Sequence, residues 1–169
     1  MRFFLIGFMG SGKSFWGKRL ASFTKIPFID LDYYIESKED KSIDAIFKLN
    51  GEEFFRTIER TYLEEIYANN KSCIIATGGG TPCFNNTMEW MKKNGITIYL
   101  HSDIDNIIKR LLKNPHRRPL LNNMPLDEIK PFVEKLLSKR ESIYKESQYL
   151  VDVNQIDETK FAQIILNHV

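Results

Sequence analysis

Cysteine is scarce in this 169-residue chain, which has only Cys73 and Cys83. Without a second pair or zinc-site spacing they exclude a disulfide framework and a cysteine-ligated metal module, and they read as reduced thiols of a cytoplasmic protein. An excess of charge of one sign is also missing. Lysine and arginine total 24 against 22 acidic residues, a net charge of +2. No bulk field therefore draws the chain to nucleic acid or an anionic membrane, and any anion has to be recognised locally. No apolar run approaches the length that spans a bilayer, and glycine, serine and lysine follow the first short one, so neither a signal peptide nor a transmembrane helix is expected. Repeats, low-complexity tracts and Pro/Gly/Ser linkers are lacking as well. With 43% hydrophobic residues, the chain is expected to bury its core as one domain, residues 1–169, without staples.

What is present begins with Gly7-Phe8-Met9-Gly10-Ser11-Gly12-Lys13-Ser14. The stretch follows the apolar run Phe3-Phe4-Leu5-Ile6 and precedes a segment, 15–23, with helical apolar spacing. That is the strand-loop-helix setting in which G-x-x-x-x-G-K-S carries a mechanism. Glycines let the backbone turn its N–H groups inward, the helix adds the positive end of its dipole, and Lys13 brings a full charge, so a di- or triphosphate is the natural ligand. Ser14 offers a hydroxyl to the Mg²⁺ that bridges the outer phosphates. A chance glycine-rich turn is disfavoured by its position at the end of a first buried strand.

Further strands are predicted at 26–29, 72–76, 95–100 and 149–153, and helices at 33–50, 51–67, 85–93, 103–113, 126–144 and from 158 onward. Alternating strands and helices predict an α/β fold, a three-layer α/β/α arrangement on a five-stranded parallel sheet. Asp30 and Asp32 leave the second strand at its carboxyl end, where open α/β sheets bind ligands. One carboxylate could hold Mg²⁺ through water and the other could take a proton from an attacking hydroxyl, or either could simply cap the next helix. Arg56 and Glu59, three apart on a helix, can pair; a solvated salt bridge is the plainer reading. Gly78-Gly79-Gly80 after the third strand suits either close approach of a ligand to backbone amides or a tight turn. Residues 114–123, with Arg117, Arg118 and Pro119, have the composition of a lid whose arginine can neutralise a transferring phosphoryl group.

Taken together, Gly7 to Ser14, Asp30-x-Asp32, Phe55-Arg56-x-x-Glu59, Gly78-Gly79-Gly80, Arg118-Pro119-Leu120-Leu121 and Arg140-x-x-x-Tyr144 resemble the shikimate kinases, small P-loop kinases of the nucleoside monophosphate kinase type. The resemblance spans nearly the full chain. It implies transfer of the γ-phosphate of ATP to the 3-hydroxyl of shikimate, giving shikimate 3-phosphate and ADP in the chorismate and aromatic amino-acid pathway, with ATP and Mg²⁺ required. It implies that Lys13 and the loop from Phe8 and Met9 through Gly10, Ser11 and Gly12 hold the phosphates, and that Ser14 and Asp30 serve the metal. A Walker B acid is absent after the third strand, where Thr77 stands, and the family shares that feature. Asp32 is implied as the base or its orienter, Arg56 and Arg140 as the grip on the substrate carboxylate, and Gly78, Gly79 and Gly80 as the floor of that site. Phe47 and Phe55 are implied beside the substrate ring, with aromatic core packing as the alternative, and 33–62 as the substrate-binding helical region. Arg118 is implied as the lid arginine, and Arg110, Asn154 and Gln155 as the adenine clamp. A cytoplasmic monomer acting on small molecules, with no nucleic-acid or membrane partner, completes the expectation.

Two other readings compete. A gluconate-kinase-like or other small-metabolite kinase of similar architecture is the nearest rival enzyme, and two arginines facing one carboxylate over a glycine floor favour a cyclic hydroxy acid over a nucleotide as acceptor. A non-catalytic ATP-binding regulatory module predicts erosion of chemistry-bearing positions, yet Lys13, Asp32, Arg56, Arg118 and Arg140 all stand.

Overall fold

A computed structural model of the chain describes residues 1–113 and 124–169. The described residues contain β1 (Arg2–Ile6), β2 (Phe28–Asp30), β3 (Cys73–Ala76), β4 (Ile96–His101) and β5 (Tyr149–Asp152), joined in one parallel sheet of order β2-β3-β1-β4-β5. This is the five-stranded sheet the sequence predicts. Arg2 pairs with Cys73 and Phe3 with Ile96, so β1 is hydrogen-bonded on both edges. Helices cover both its faces, which is why it reads as an unbroken apolar run rather than an alternating one. Phe3 and Leu5 point to one side, where Leu20 of α1 (Lys13–Thr24) and Phe161 of α7 (Glu158–Leu166) complete a core. Phe4 and Ile6 point to the other side, against α2 (Leu31–Glu39), α3 (Ile43–Asn69), α4 (Thr87–Asn94), α5 (Ile104–Lys113) and α6 (Leu126–Tyr144). Each of these fully buried side chains contributes about 1.5–3 kcal/mol, so the strand that carries the glycine-rich loop is anchored from both faces. The order reverses across β1, whose carboxyl end therefore opens onto the crevice where such sheets bind ligands. Among the described residues, no helix is long and apolar enough to cross a membrane.

The helical region between β2 and β3 corrects the expectation. The predicted helix 33–50 is two helices: α2 ends at Asp40, with φ 50°, and α3 starts after Ser42, whose side chain caps Ala45 N–H. At Gly51 the expected stop is present: φ 81° and ψ 174° are non-helical, so α3 is two helical segments that meet at a kink there. Nothing lies within 4 Å of where its Cβ would be, so backbone freedom rather than crowding explains the glycine. The second strand is shorter than expected and starts beyond Pro27, which has no N–H to give a ladder. The chain after the three glycines forms a single 3₁₀ turn, Thr81–Cys83, before α4 begins at Thr87.

Candidate active site

The glycine-rich loop owes its shape to three left-handed or otherwise Gly-only residues, Gly7 (φ 149°), Gly10 (φ 80°) and Gly12 (φ 97°). Gly12 caps α1 with no side-chain hydrogen bond, and the first turn holds no acidic residue, so the helix N-terminus is left open to an anion. Lys13 is buried and donates to the carbonyls of Gly7 (2.8 Å) and Phe8 (2.9 Å). The Ser11 hydroxyl is buried without a partner among the described residues. An open helix terminus, a lysine held at the loop and an orphaned hydroxyl fit a bound phosphate chain. Phe8 and Met9 are only 1% and 7% exposed, their side chains packed in the core. They offer a phosphate their backbone alone.

Ser14 donates to Asp30 at 2.5 Å. Asp30 also accepts from Tyr33 N–H at 3.4 Å as the cap of α2, so the capping reading and the proximity to Ser14 both hold. A hydroxyl beside a carboxylate supplies hard oxygen donors of the kind Mg²⁺ takes alongside phosphate oxygens and water. Asp32 lies in the first turn of α2 rather than on the strand, yet it and Asp30 border one cavity of ≈ 320 Å³ with Gly10, Gly12, Lys13, Ser14, Thr77, Gly79 and Arg110.

Opposite the loop, Arg56 and Glu59 pair at 2.8 Å, with side chains 10% and 3% exposed. This is no solvated salt bridge. Glu59 also accepts from the Thr81 hydroxyl at 2.6 Å, while Glu52, more exposed, takes Arg56 Nη2 at 3.1 Å. The guanidinium lies over the rings of Phe84 (4.4 Å), Phe55 (5.1 Å) and Phe47 (5.9 Å). Phe47 and Phe55 are 4.5 Å apart between centroids; Phe55, 3% exposed, belongs to the core, while Phe47 is only partly buried against it.

None of Gly78, Gly79 and Gly80 has positive φ, so backbone strain is not what calls for glycine. Crowding is. A Cβ on Gly78 would sit 2.8 Å from Glu59 Oε1 and 3.1 Å from Asp32 Oδ1; one on Gly80 would meet Arg56 Nη2 at 2.5 Å. A Cβ on Gly79 would lie 3.7 Å from Arg140 Nη1. The triplet thus draws Asp32, Glu59, Arg56 and Arg140 around bare backbone. Arg140, 8% exposed on α6, forms no ion pair among the described residues.

Arg110 donates to the carbonyl of Gly10 (3.1 Å) and to Ser102 (3.3 Å), and Ser102 donates to Asn154. Of the three positions named from sequence for the base of the nucleotide, Arg110 and Asn154 are therefore joined through Ser102, and Gln155 is the next residue in the chain. Gln155 closes a turn by donating its N–H to Asp152 O. Arg118 and the lid 114–123 lie outside the described residues. Sequence reasoning missed Phe84, Thr81 and Ser102. Only Thr81 left a signal, as the residue directly after the glycines.

A family model described as shikimate kinase matches residues 9–169. The chain is 41% identical over 155 residues to a shikimate kinase of Parabacteroides distasonis, covering 92% of this chain and 89% of that one. Among solved structures, a shikimate kinase from Bacteroides thetaiotaomicron superposes with TM-score 0.90 at 35% identity, over 99% of this chain and 97% of that one. A shikimate kinase from Acinetobacter baumannii, solved in complex with shikimate, superposes with TM-score 0.87 at 33% identity, over 98% and 90%.

Proposed function

The chain belongs to the shikimate kinase family, and from that premise we propose how its residues divide the work. The enzyme is an ATP-dependent kinase acting on a hydroxyl group of shikimate, the step that yields shikimate 3-phosphate and ADP on the way to chorismate and the aromatic amino acids. The observation that carries the assignment of roles is the cavity of ≈ 320 Å³ bordered at once by Lys13, Ser14 and Asp30 and by Asp32 and Gly79. Donor and acceptor residues share one crevice.

In this reading, Lys13 and the amides of Gly10, Ser11 and Gly12 hold the β- and γ-phosphates at the open end of α1. Ser14 and, through water, Asp30 would hold Mg²⁺, which when bound would supply positive charge to the phosphate oxygens. Arg56 and Arg140 grip the substrate carboxylate, as planar guanidinium forks suit, with Gly79 and Gly80 lending backbone amides. Asp32 accepts the proton as the shikimate oxygen bonds to the γ-phosphorus and the bond from that phosphorus to ADP breaks. Little covalent chemistry falls to the protein, and alignment with electrostatic support supplies the acceleration. Arg118 stabilises the transferring charge from the lid, a role read from sequence, and Arg110, Asn154 and Gln155 flank the adenine. We place the enzyme in the cytoplasm as a monomer whose partners are small molecules.

The test is a coupled ADP-release assay with Mg²⁺-ATP across shikimate, gluconate and nucleoside monophosphates. Turnover of shikimate is expected. Turnover of gluconate without shikimate would overturn the reading.

A further inference from the structure

Tyr144 closes α6 one turn beyond Arg140, is 0% exposed, and donates its phenol hydrogen to the carbonyl of Gly79 at 2.5 Å. Its ring packs on Tyr99 at 5.3 Å between centroids, and its hydroxyl also interacts with the Arg140 side chain. Burial pushes the phenol well above its ordinary range, so it stays a neutral donor at working pH.

The peptide between Gly79 and Gly80 is trans, so its carbonyl and its N–H point in opposite directions. Anchoring the Gly79 carbonyl on α6 therefore turns the Gly80 N–H away from α6. Among the described residues, the N–H groups of Gly78, Gly79 and Gly80 donate to nothing. Gly80 is also the residue against which Arg56 packs, and Gly79 lies against the glycine-rich loop, where its Cβ would meet Met9 N at 3.2 Å. A three-glycine segment has no side chains of its own to fix which way its peptides face. One hydrogen bond from a rigid buried ring supplies that direction.

We propose that Tyr144 is a positioning residue for the acceptor site: its phenol sets the Gly79–Gly80 peptide plane so that the Gly80 N–H stands ready as a donor to shikimate beside Arg56, in register with Arg140 one turn away. The proposal rests on the shikimate kinase reading above and adds a residue that touches no substrate atom. Removing the hydroxyl frees the peptide to rotate and leaves the ring packing in place.

The experiment compares the parent with Tyr144→Phe and with Tyr99→Leu, a packing control that loses ring contact but leaves the Tyr144 hydroxyl. Tyr144→Phe is expected to raise KM for shikimate about tenfold, the equivalent of one hydrogen bond of about 1.4 kcal/mol, with KM for ATP moving less than twofold. Tyr99→Leu is expected to lower the melting temperature at least as much and to leave KM for shikimate within twofold. Shikimate calorimetry on the same proteins should follow the KM values. A parent-like shikimate KM in Tyr144→Phe overturns the proposal alone, as does an equal rise in Tyr99→Leu at matched stability loss. A parent that turns over no shikimate overturns the functional reading and the proposal with it.

Discussion

The Ser14 hydroxyl lies 2.5 Å from a carboxylate oxygen of Asp30, while the other oxygen of that carboxylate caps α2 through Tyr33 N–H at 3.4 Å. One side chain thus has a structural duty and a place at the glycine-rich-loop end of the cavity, and one substitution separates them. Asparagine caps a helix about as well as aspartate but brings no charge to a cation. Asp30→Asn should keep stability within about 0.5 kcal/mol of the parent while raising the half-saturating Mg²⁺ concentration on the order of tenfold. Titrating activity against Mg²⁺ at fixed ATP, beside a urea unfolding curve, checks both. An unchanged Mg²⁺ requirement would leave Asp30 as a cap alone.

Asp32 borders the same cavity from the first turn of α2. The proton-acceptor role proposed for it acts mainly in the transition state, so Asp32→Asn should lower kcat by about 10²–10⁴ while KM for ATP stays near the parent value. Equal losses in turnover and ATP binding would argue that the residue shapes the nucleotide site instead.

Much of this arrangement is legible in the residues because it is local. The strand before the glycine-rich loop is apolar on both faces, Gly7, Gly10 and Gly12 take conformations other residues avoid, and Asp30 leaves the strand at the sheet's ligand-binding end. What sequence conceals is contact between distant segments. The break at Asp40 escaped because Ile35, Ile43 and Ile46 keep apolar spacing across it, while the local signal, Ser42 capping Ala45, is a single hydrogen bond. Phe84 over Arg56 and the Tyr144 phenol on Gly79 join elements far apart in the chain, so no spacing rule announces them. The Phe8 and Met9 side chains turn into the core because the loop's glycines set the path, a direction composition does not encode.

Arg56 and Glu59 share burial, so truncating the arginine confounds affinity with stability. Arg56→Ala strands the buried Glu59 carboxylate at a cost of about 3–5 kcal/mol. Adding Glu59→Gln removes the orphaned charge. The double variant should regain much of the lost stability in urea melts while its shikimate KM stays at least tenfold above the parent's. Recovery of shikimate affinity along with stability would show that Arg56 serves the fold and not the carboxylate.

Gly78 is confined by Glu59 Oε1 at 2.8 Å, Thr81 Oγ1 at 2.9 Å and Asp32 Oδ1 at 3.1 Å from its Cβ direction. Its φ is not positive, so alanine costs no backbone strain and acts only by displacing those oxygens. Gly78→Ala should lower kcat/KM for shikimate on the order of 10²-fold, the scale of an ångström-sized misplacement, with a folded circular dichroism spectrum. Parent-like kcat/KM would mean the carboxylates give way without consequence.

Cys73, on β3 beside Arg2 of β1, is fully buried, and burial pushes its thiol from 9.0 up to about 11. Folding therefore holds the proton that the unfolded chain releases near pH 9. Stability from this group is whole below pH 9 and is lost as pH rises toward 11, because the folded state then binds more protons than the unfolded one. Two pH units set a ceiling of ~3 kcal/mol. Tyr99, raised from 10.0 to about 12 by burial, extends the loss in the same direction at higher pH. Urea unfolding at pH 8, 9 and 10 should show the decline, and Cys73→Ala, though less stable throughout, should show a shallower one. A thiol reagent at pH 8 offers an independent check: half-buried Cys83 should react first, and Cys73 only as the chain unfolds. If Cys73 reacts as fast as a free thiol in the folded protein, β3 opens far more readily than its two-sided pairing implies.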